Sequence, residues 1–202
     1  MKLYYSPGAC SLSPHIALRE AGLPFELVLA STKTKQLADG TDFLTINSKG
    51  SVPVLELDNG ERLTEGPAIV QYIADQAPDK QLAPANGSWQ RYRLQEWLNF
   101  ITSELHKGFS PLFNPATPDE ARTQSRAKLG ERLAWVNAQL AGKQFLLGEQ
   151  FSVADAYLFT VTNWGQYVGV DVSGLAHLVA LRARVAARPA VQAAMKAEGL
   201  LG

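Results

Sequence analysis

The chain has 202 residues, 46% of them hydrophobic and 19% charged, and its 19 Lys and Arg balance 19 Asp and Glu. That length suits one or two globular domains with an ample core, and the neutral balance excludes a field that recruits nucleic acid or an anionic membrane. No apolar run is long enough to span a bilayer, no signal-peptide pattern is visible, and one cysteine forms no internal disulfide, so a reducing cytoplasm is expected.

Residues 2–6 read as a strand, and Ser6-Pro7-Gly8 as a turn. Leu12 to Ala21 reads as a helix with Gly22 just past its end, a C-cap position. Between turn and helix stands Cys10, the only cysteine. A thiol at a helix start faces unpaired N–H groups and the positive end of the helix dipole. Thiols so placed titrate at about 3.5–7.5, against about 8.5 for a free one, and the thiolate is the nucleophile. The alternative is a small, inert core residue. Residues 25–30 read as a second strand and 42–46 as a short helix. Residues 52–57 and 61–64 flank Asp58-Asn59-Gly60, a hairpin signal. A helix is expected over about residues 66–76. The order is a βαβ unit followed by a ββα unit, with a right-handed first crossover.

Residues 78–87 read as a linker, and the Asn86-Gly87-Ser88 sequon there as a chance match. Beyond it every segment is helical. Leu94, Trp97, Leu98, Ile101, Leu105 and Leu112 form one apolar stripe. Thr117-Pro118-Asp119-Glu120 is expected to open the next helix with a capping box and proline at its first position. Leu129, Leu133, Val136 and Leu140 continue it. Ser152-Val153-Ala154-Asp155 is a second start signal, followed by Ala156, Tyr157, Thr160, Val161 and Trp164 on one face. Two more helices are expected over about 175–187 and 189–196. No metal-ligand spacing, phosphate-binding glycine loop or dinucleotide fingerprint occurs, so no metal site is expected.

Four segments in this spacing carry a family likeness: Tyr5-Ser6-Pro7-Gly8-Ala9-Cys10-Ser11, Val52-Pro53-Val54-Leu55, Leu63-Thr64-Glu65-Gly66-Pro67-Ala68-Ile69 and Ser152-Val153-Ala154-Asp155-Ala156. Over its whole length the chain resembles a cytosolic glutathione transferase. Cys10 with His106-Lys107 resembles the bacterial beta class, which uses cysteine where other classes use tyrosine or serine. The resemblance implies an α+β protein, a thioredoxin-like glutathione-binding domain (βαβαββα) over 1–77 followed by an all-α domain over 88–202. It implies a homodimer in the cytoplasm, with glutathione as co-substrate, a small hydrophobic electrophile as partner, and no metal.

The resemblance also assigns residues. Val52-Pro53 is expected to be a cis-proline turn, with Val52 pairing like an added strand with the cysteinyl part of glutathione. Glu65 is expected to neutralise the γ-glutamyl ammonium, and the Gly66 N–H to hold the carboxylate at a helix start. The family usually has serine where Gly66 stands, which removes a hydroxyl bond worth about 1 kcal/mol. Asn99, Ser103 and His106 recur at i, i+4 and i+7, one face of a helix. His106 is expected near the glutathione sulfur, with Glu104 among the further contacts, and Lys35 and Lys107 as partners of the glycyl carboxylate. Ala9, Phe109, Phe113 and Trp164 are expected to border the electrophile between the domains. Ser152 and Asp155 are structural, and His15 and His177 helix-surface or otherwise satisfied. Three activities remain open: conjugation, displacing halide in a special case, with Cys10 also able to form a mixed disulfide; a glutaredoxin-like thiol–disulfide reductase or peroxidase; and a non-catalytic glutathione or hydrophobic-ligand binding protein.

Overall fold

The computed structural model describes residues 1–201. They fold as two compact units. The first comprises Met1–Ala83 and the C-terminal segment from Arg188; the second is Pro84–Ala187. The expected range 88–202 for the helical domain therefore includes a final segment that packs in the first unit.

The first unit holds a four-stranded mixed sheet of β1 (Lys2–Tyr5), β2 (Glu26–Leu29), β3 (Val54–Glu56) and β4 (Arg62–Thr64), in the order β2-β1-β3-β4. β1 runs parallel to β2 and antiparallel to β3, and β3 antiparallel to β4. Leu3 and Tyr4 are consecutive yet both buried, because a central strand is covered on both faces. Tyr4 packs with Ala30, Phe43, Val52 and Val54. Helix α1 (Leu12–Ala21) packs against α2 (Gly66–Gln76). Gly22 ends α1 at φ +67, its N–H returning to the Arg19 carbonyl. The strands are shorter than expected at β3, since Pro53 brings no N–H to the ladder. The expected short helix at 42–46 is a 3-10 turn, Phe43–Thr45, capped by the Asp42 carboxylate on the Leu44 N–H.

The last helix of the chain packs on α1 (α9, Pro189–Ala197). Arg188 donates to both carboxylate oxygens of Glu20, at 2.5 and 2.8 Å. A two-pronged pair of this kind fixes orientation as well as distance.

The second unit comprises α3 (Trp89–Phe100), a π-helical turn (Ile101–His106), α4 (Lys107–Phe113), α5 (Asp119–Gln139), α6 (Val153–Thr162), α7 (Gly165–Val168) and α8 (Ala176–Ala186). All ten residues of α6 are buried, as suits a helix packed against α3, α8 and the π turn. Its threonines are satisfied internally: Thr160 donates to the Ala156 carbonyl and Thr162 to that of Leu158. Two expectations need correction. The capping box at Thr117–Glu120 does not form. Pro118 itself occupies the N-cap and offers no side-chain acceptor, while the Thr117 carbonyl accepts from Arg122 Nε. The stripe from Leu94 to Leu112 is buried as expected, but the helix that carries it is not uniformly α, because the π turn interrupts it.

Asp155 carries more than a cap. Its carboxylate accepts from the Ser152 N–H, the Ser152 hydroxyl and the Leu146 N–H, each at 2.8 Å. Burial pushes this carboxyl up to about 6 from 3.8, against the pull of those three donors. Between these values the folded protein keeps a proton that the unfolded chain releases, so this group's contribution to stability is fully present only below about pH 3.8. It falls as the pH rises towards about 6, by a total on the order of 3 kcal/mol. Asp155→Asn cannot ionise. Urea unfolding of that variant is expected to show a flatter dependence on pH across this window than the wild type.

Candidate active site

In the first unit the sequence-selected residues converge on one loop, residues 47–53. Asn47 braces it by donating from Nδ2 to the Ser51 carbonyl at 2.7 Å. Cys10 stands one residue before Ser11, the N-cap of α1, and its Sγ lies 3.2 Å from the Val52 carbonyl oxygen. A carbonyl can only accept, so this contact suits the neutral thiol, whereas the start of α1 favours the thiolate. The Val52–Pro53 peptide is cis.

Pro53 in turn adjoins the start of α2. A Cβ at Gly66 would sit 3.9 Å from Pro53 Cγ, ordinary contact, so the backbone here leaves room for a larger residue than glycine. Glu65 has φ +69. A non-glycine residue held in that region costs of order 1–3 kcal/mol and is characteristic of ligand clamps. Its carboxylate accepts from Lys49 Nζ at 2.6 Å, and the same ammonium reaches Thr64 Oγ1 at 2.8 Å. Lys49 is a partner that sequence reasoning missed. Lys35 also has positive φ, and its Nζ donates to the Gly50 carbonyl at 2.6 Å. Ala9 packs on the apolar cluster around Tyr4.

The turn that carries Cys10 is anchored from beneath. Ser11 Oγ accepts from the Ser6 N–H and donates to the Ser6 carbonyl. The Gly8 N–H donates to Glu198 Oε2 at 2.9 Å. Glu198 Oε1 lies 2.8 Å from Nδ1 of the fully buried His15, and Arg19 Nε donates to His15 Nε2 at 2.8 Å. Because Nε2 accepts, Nδ1 carries the proton and donates to Glu198. His15 is thus a buried neutral link between a cation and an anion, not a surface residue. Arg19 was visible one turn along α1. Glu198, 183 residues away from His15, left no local signal.

In the second unit, Asn99, Ser103 and Lys107 are exposed and His106 is half-buried. The i, i+4, i+7 argument assumed α geometry, which the π turn over Ile101–His106 replaces. Nδ1 of His106 lies 2.7 Å from the hydroxyl of Tyr157 on α6, a partner also missed. The Glu104 carboxylate accepts from Arg132 Nε at 2.8 Å. The Trp164 ring meets those of His106, Phe109 and Phe113 at centroid distances of 4.9, 5.8 and 5.9 Å. Phe109 is wholly buried, while Phe113 is half exposed. A separate groove of about 530 Å3 beside Thr162, Val170 and Arg182 contains none of the selected residues.

A thioredoxin-like unit with a cysteine at its first helix and a second unit made only of helices defines a class of protein. Residues 8–76 match the family profile for the glutathione S-transferase N-terminal domain, and residues 100–189 that for the C-terminal domain. A curated relative, glutathione S-transferase GstA of Escherichia coli O157:H7, is 50% identical over 99% of this chain and all of its own. Among solved structures, a ternary complex of BphK, a bacterial transferase, is 62% identical with TM-score 0.98, covering 99% of this chain and 100% of that one. A bacterial beta class transferase from Sphingomonas chungbukensis is 50% identical with TM-score 0.96 over the whole of both chains. The chain belongs to the glutathione S-transferase family, enzymes that take glutathione as co-substrate.

Glu198→Ala removes the acceptor of His15 Nδ1–H and of the Gly8 N–H and strands the Arg19–His15 pair. A loss of about 1–3 kcal/mol is expected in denaturant unfolding, the cost of buried donors left unsatisfied, with faster alkylation of Cys10 by iodoacetamide as the turn loosens. An unchanged unfolding midpoint would show that the array contributes nothing.

Proposed function

We propose that this chain conjugates glutathione with hydrophobic electrophiles, halogenated compounds among them, and that Cys10 forms a mixed disulfide with glutathione. The observation that supports this most directly is the meeting of the Cys10 sulfur with the Val52 carbonyl at 3.2 Å, beside the start of α2. In the proposed complex the cysteinyl part of glutathione pairs with Val52, next to Pro53, as an added strand. Its γ-glutamyl carboxylate takes the Gly66 N–H and the positive end of α2, and its ammonium takes Glu65 in place of Lys49. Lys35 and Lys107 take the glycyl carboxylate, and Asn99, Ser103 and Glu104 supply further polar contacts. Ala9, Phe109, Phe113 and Trp164 border the electrophile. The enzyme acts as a cytoplasmic homodimer.

In conjugation, glutathione thiolate attacks the electrophilic carbon, a C–S bond forms, and halide leaves with the bonding pair while the thiol proton passes to solvent. His106 stabilises the thiolate by hydrogen bond. In exchange, the Cys10 thiolate attacks glutathione disulfide, forming the mixed disulfide and expelling one glutathione thiolate. A second glutathione releases Cys10 and regenerates glutathione disulfide. Ser13 stands where a dithiol enzyme carries its resolving cysteine, and its hydroxyl is buried without a hydrogen-bond partner. The mixed disulfide is therefore long-lived.

Intact-mass analysis after incubation with glutathione disulfide is expected to show one glutathione per chain, removed by dithiothreitol and absent in Cys10→Ala. In a conjugation assay with a chlorinated aromatic, Cys10→Ala is expected to keep part of the wild-type rate. Complete loss in that variant points instead to a reductase working wholly through Cys10. A wild-type protein that turns over neither electrophiles nor mixed disulfides would sink the enzymatic assignment.

A further inference from the structure

The sequence names His106 but not what holds it. In the structure its ring is set by Tyr157, a residue 97% buried on α6, whose hydroxyl lies 2.7 Å from His106 Nδ1. Thr102, inside the π turn, donates to the Leu98 carbonyl at 2.8 Å and lies 3.4 Å from the same tyrosine hydroxyl. Trp164 closes the other side of the ring, edge to face at 4.9 Å.

The threonine proton can be assigned. The Leu98 carbonyl only accepts, so the Thr102 proton goes to that shorter bond. The 2.7 Å contact is satisfied in two ways, by a tyrosine that donates to a bare Nδ1 or by an Nδ1–H that donates to the tyrosine oxygen. A neutral imidazole that accepts at Nδ1 carries its proton at Nε2. In the first arrangement the ring presents an N–H donor on the edge away from Tyr157, the form needed to hydrogen-bond a thiolate. The π turn is part of this arrangement, because π-helical insertions re-aim side chains and recur at functional sites.

We propose that Tyr157 is a positioning residue that fixes both the orientation and the Nε2–H tautomer of His106. This rests on the role given to His106 above. Its logic is that of other histidines whose working nitrogen is set by a bond to the opposite one. Tyr157 touches neither glutathione nor the electrophile in this scheme. Its effect is on turnover, not on glutathione affinity.

The test compares Tyr157→Phe, which keeps the ring and removes only the hydroxyl, with Thr102→Val and His106→Gln. Nitrogen NMR of histidine-labelled protein, assigned by the loss of the His106 signals in His106→Gln, reads the tautomer without reference to activity. Wild type is expected to show a bare Nδ1 and a protonated Nε2, and Tyr157→Phe a mixture of tautomers. In conjugation kinetics, Tyr157→Phe is expected to lower kcat about tenfold with KM for glutathione within about twofold, the pattern of an interaction made in the transition state. Thr102→Val disturbs the same turn but leaves the Tyr157–His106 bond, and is expected to keep the wild-type tautomer and kcat. An unchanged tautomer in Tyr157→Phe overturns the proposal, and so does an unchanged kcat. If His106→Gln turns over as fast as wild type, the assignment of His106 fails. If His106→Gln is slow and Tyr157→Phe is not, only the positioning role fails.

Discussion

Everything in the first unit that bears on chemistry meets one loop, residues 47–53, through its carbonyls or its side chains. Gly50 takes the Lys35 ammonium, Lys49 reaches back to Glu65, Val52 offers its carbonyl to Cys10, and Pro53 borders Gly66. None of these contacts is strong alone, and the pair Lys49–Glu65 is exposed and worth about 0–1 kcal/mol. Their common feature is that the loop's own conformation aligns them. Asn47 braces that conformation by donating from its side-chain amide to the Ser51 carbonyl. A ligand that pairs with the loop backbone would meet the start of α1 at one end and the start of α2 at the other.

The second constraint comes from the opposite end of the chain. A carboxylate near the C-terminus, Glu198, holds the Gly8 N–H and, through neutral His15, the guanidinium of Arg19. Charge is balanced across the array without any two full charges in contact. Removal of one member leaves the others desolvated and mispaired, which makes such arrays costly to interrupt. The turn that aims Cys10 is therefore tied to the packing of α9 on α1.

Much of this was legible in the amino-acid sequence because the signals are local. The alternation of strand and helix, Gly22 as a cap, Gly60 in a hairpin and Ser152 with Asp155 all act within a few residues, and the structure shows each. Two local signals misled. Thr117-Pro118 reads as a cap, but proline at the cap itself leaves no acceptor there. The spacing of Asn99, Ser103 and His106 reads as one helical face, but a π turn shifts the phase between them. The rest was beyond local reading. Tyr157 meets His106 across 51 residues and Glu198 meets His15 across 183; the one is an ordinary member of a buried helix and the other the residue just past α9 until the fold places them.

The central proposal is that Val52 in the loop over 47–53 takes the cysteinyl part of glutathione while Glu65 and Gly66, at the start of α2, take its γ-glutamyl end. Binding calorimetry with reduced glutathione on wild type beside Glu65→Gln addresses it most directly, because that change keeps the side chain's shape and removes its charge. The account requires one site per chain in the wild type and a loss of at least about tenfold in affinity, or 1.4 kcal/mol, in the variant. Equal affinities in the two proteins would contradict it.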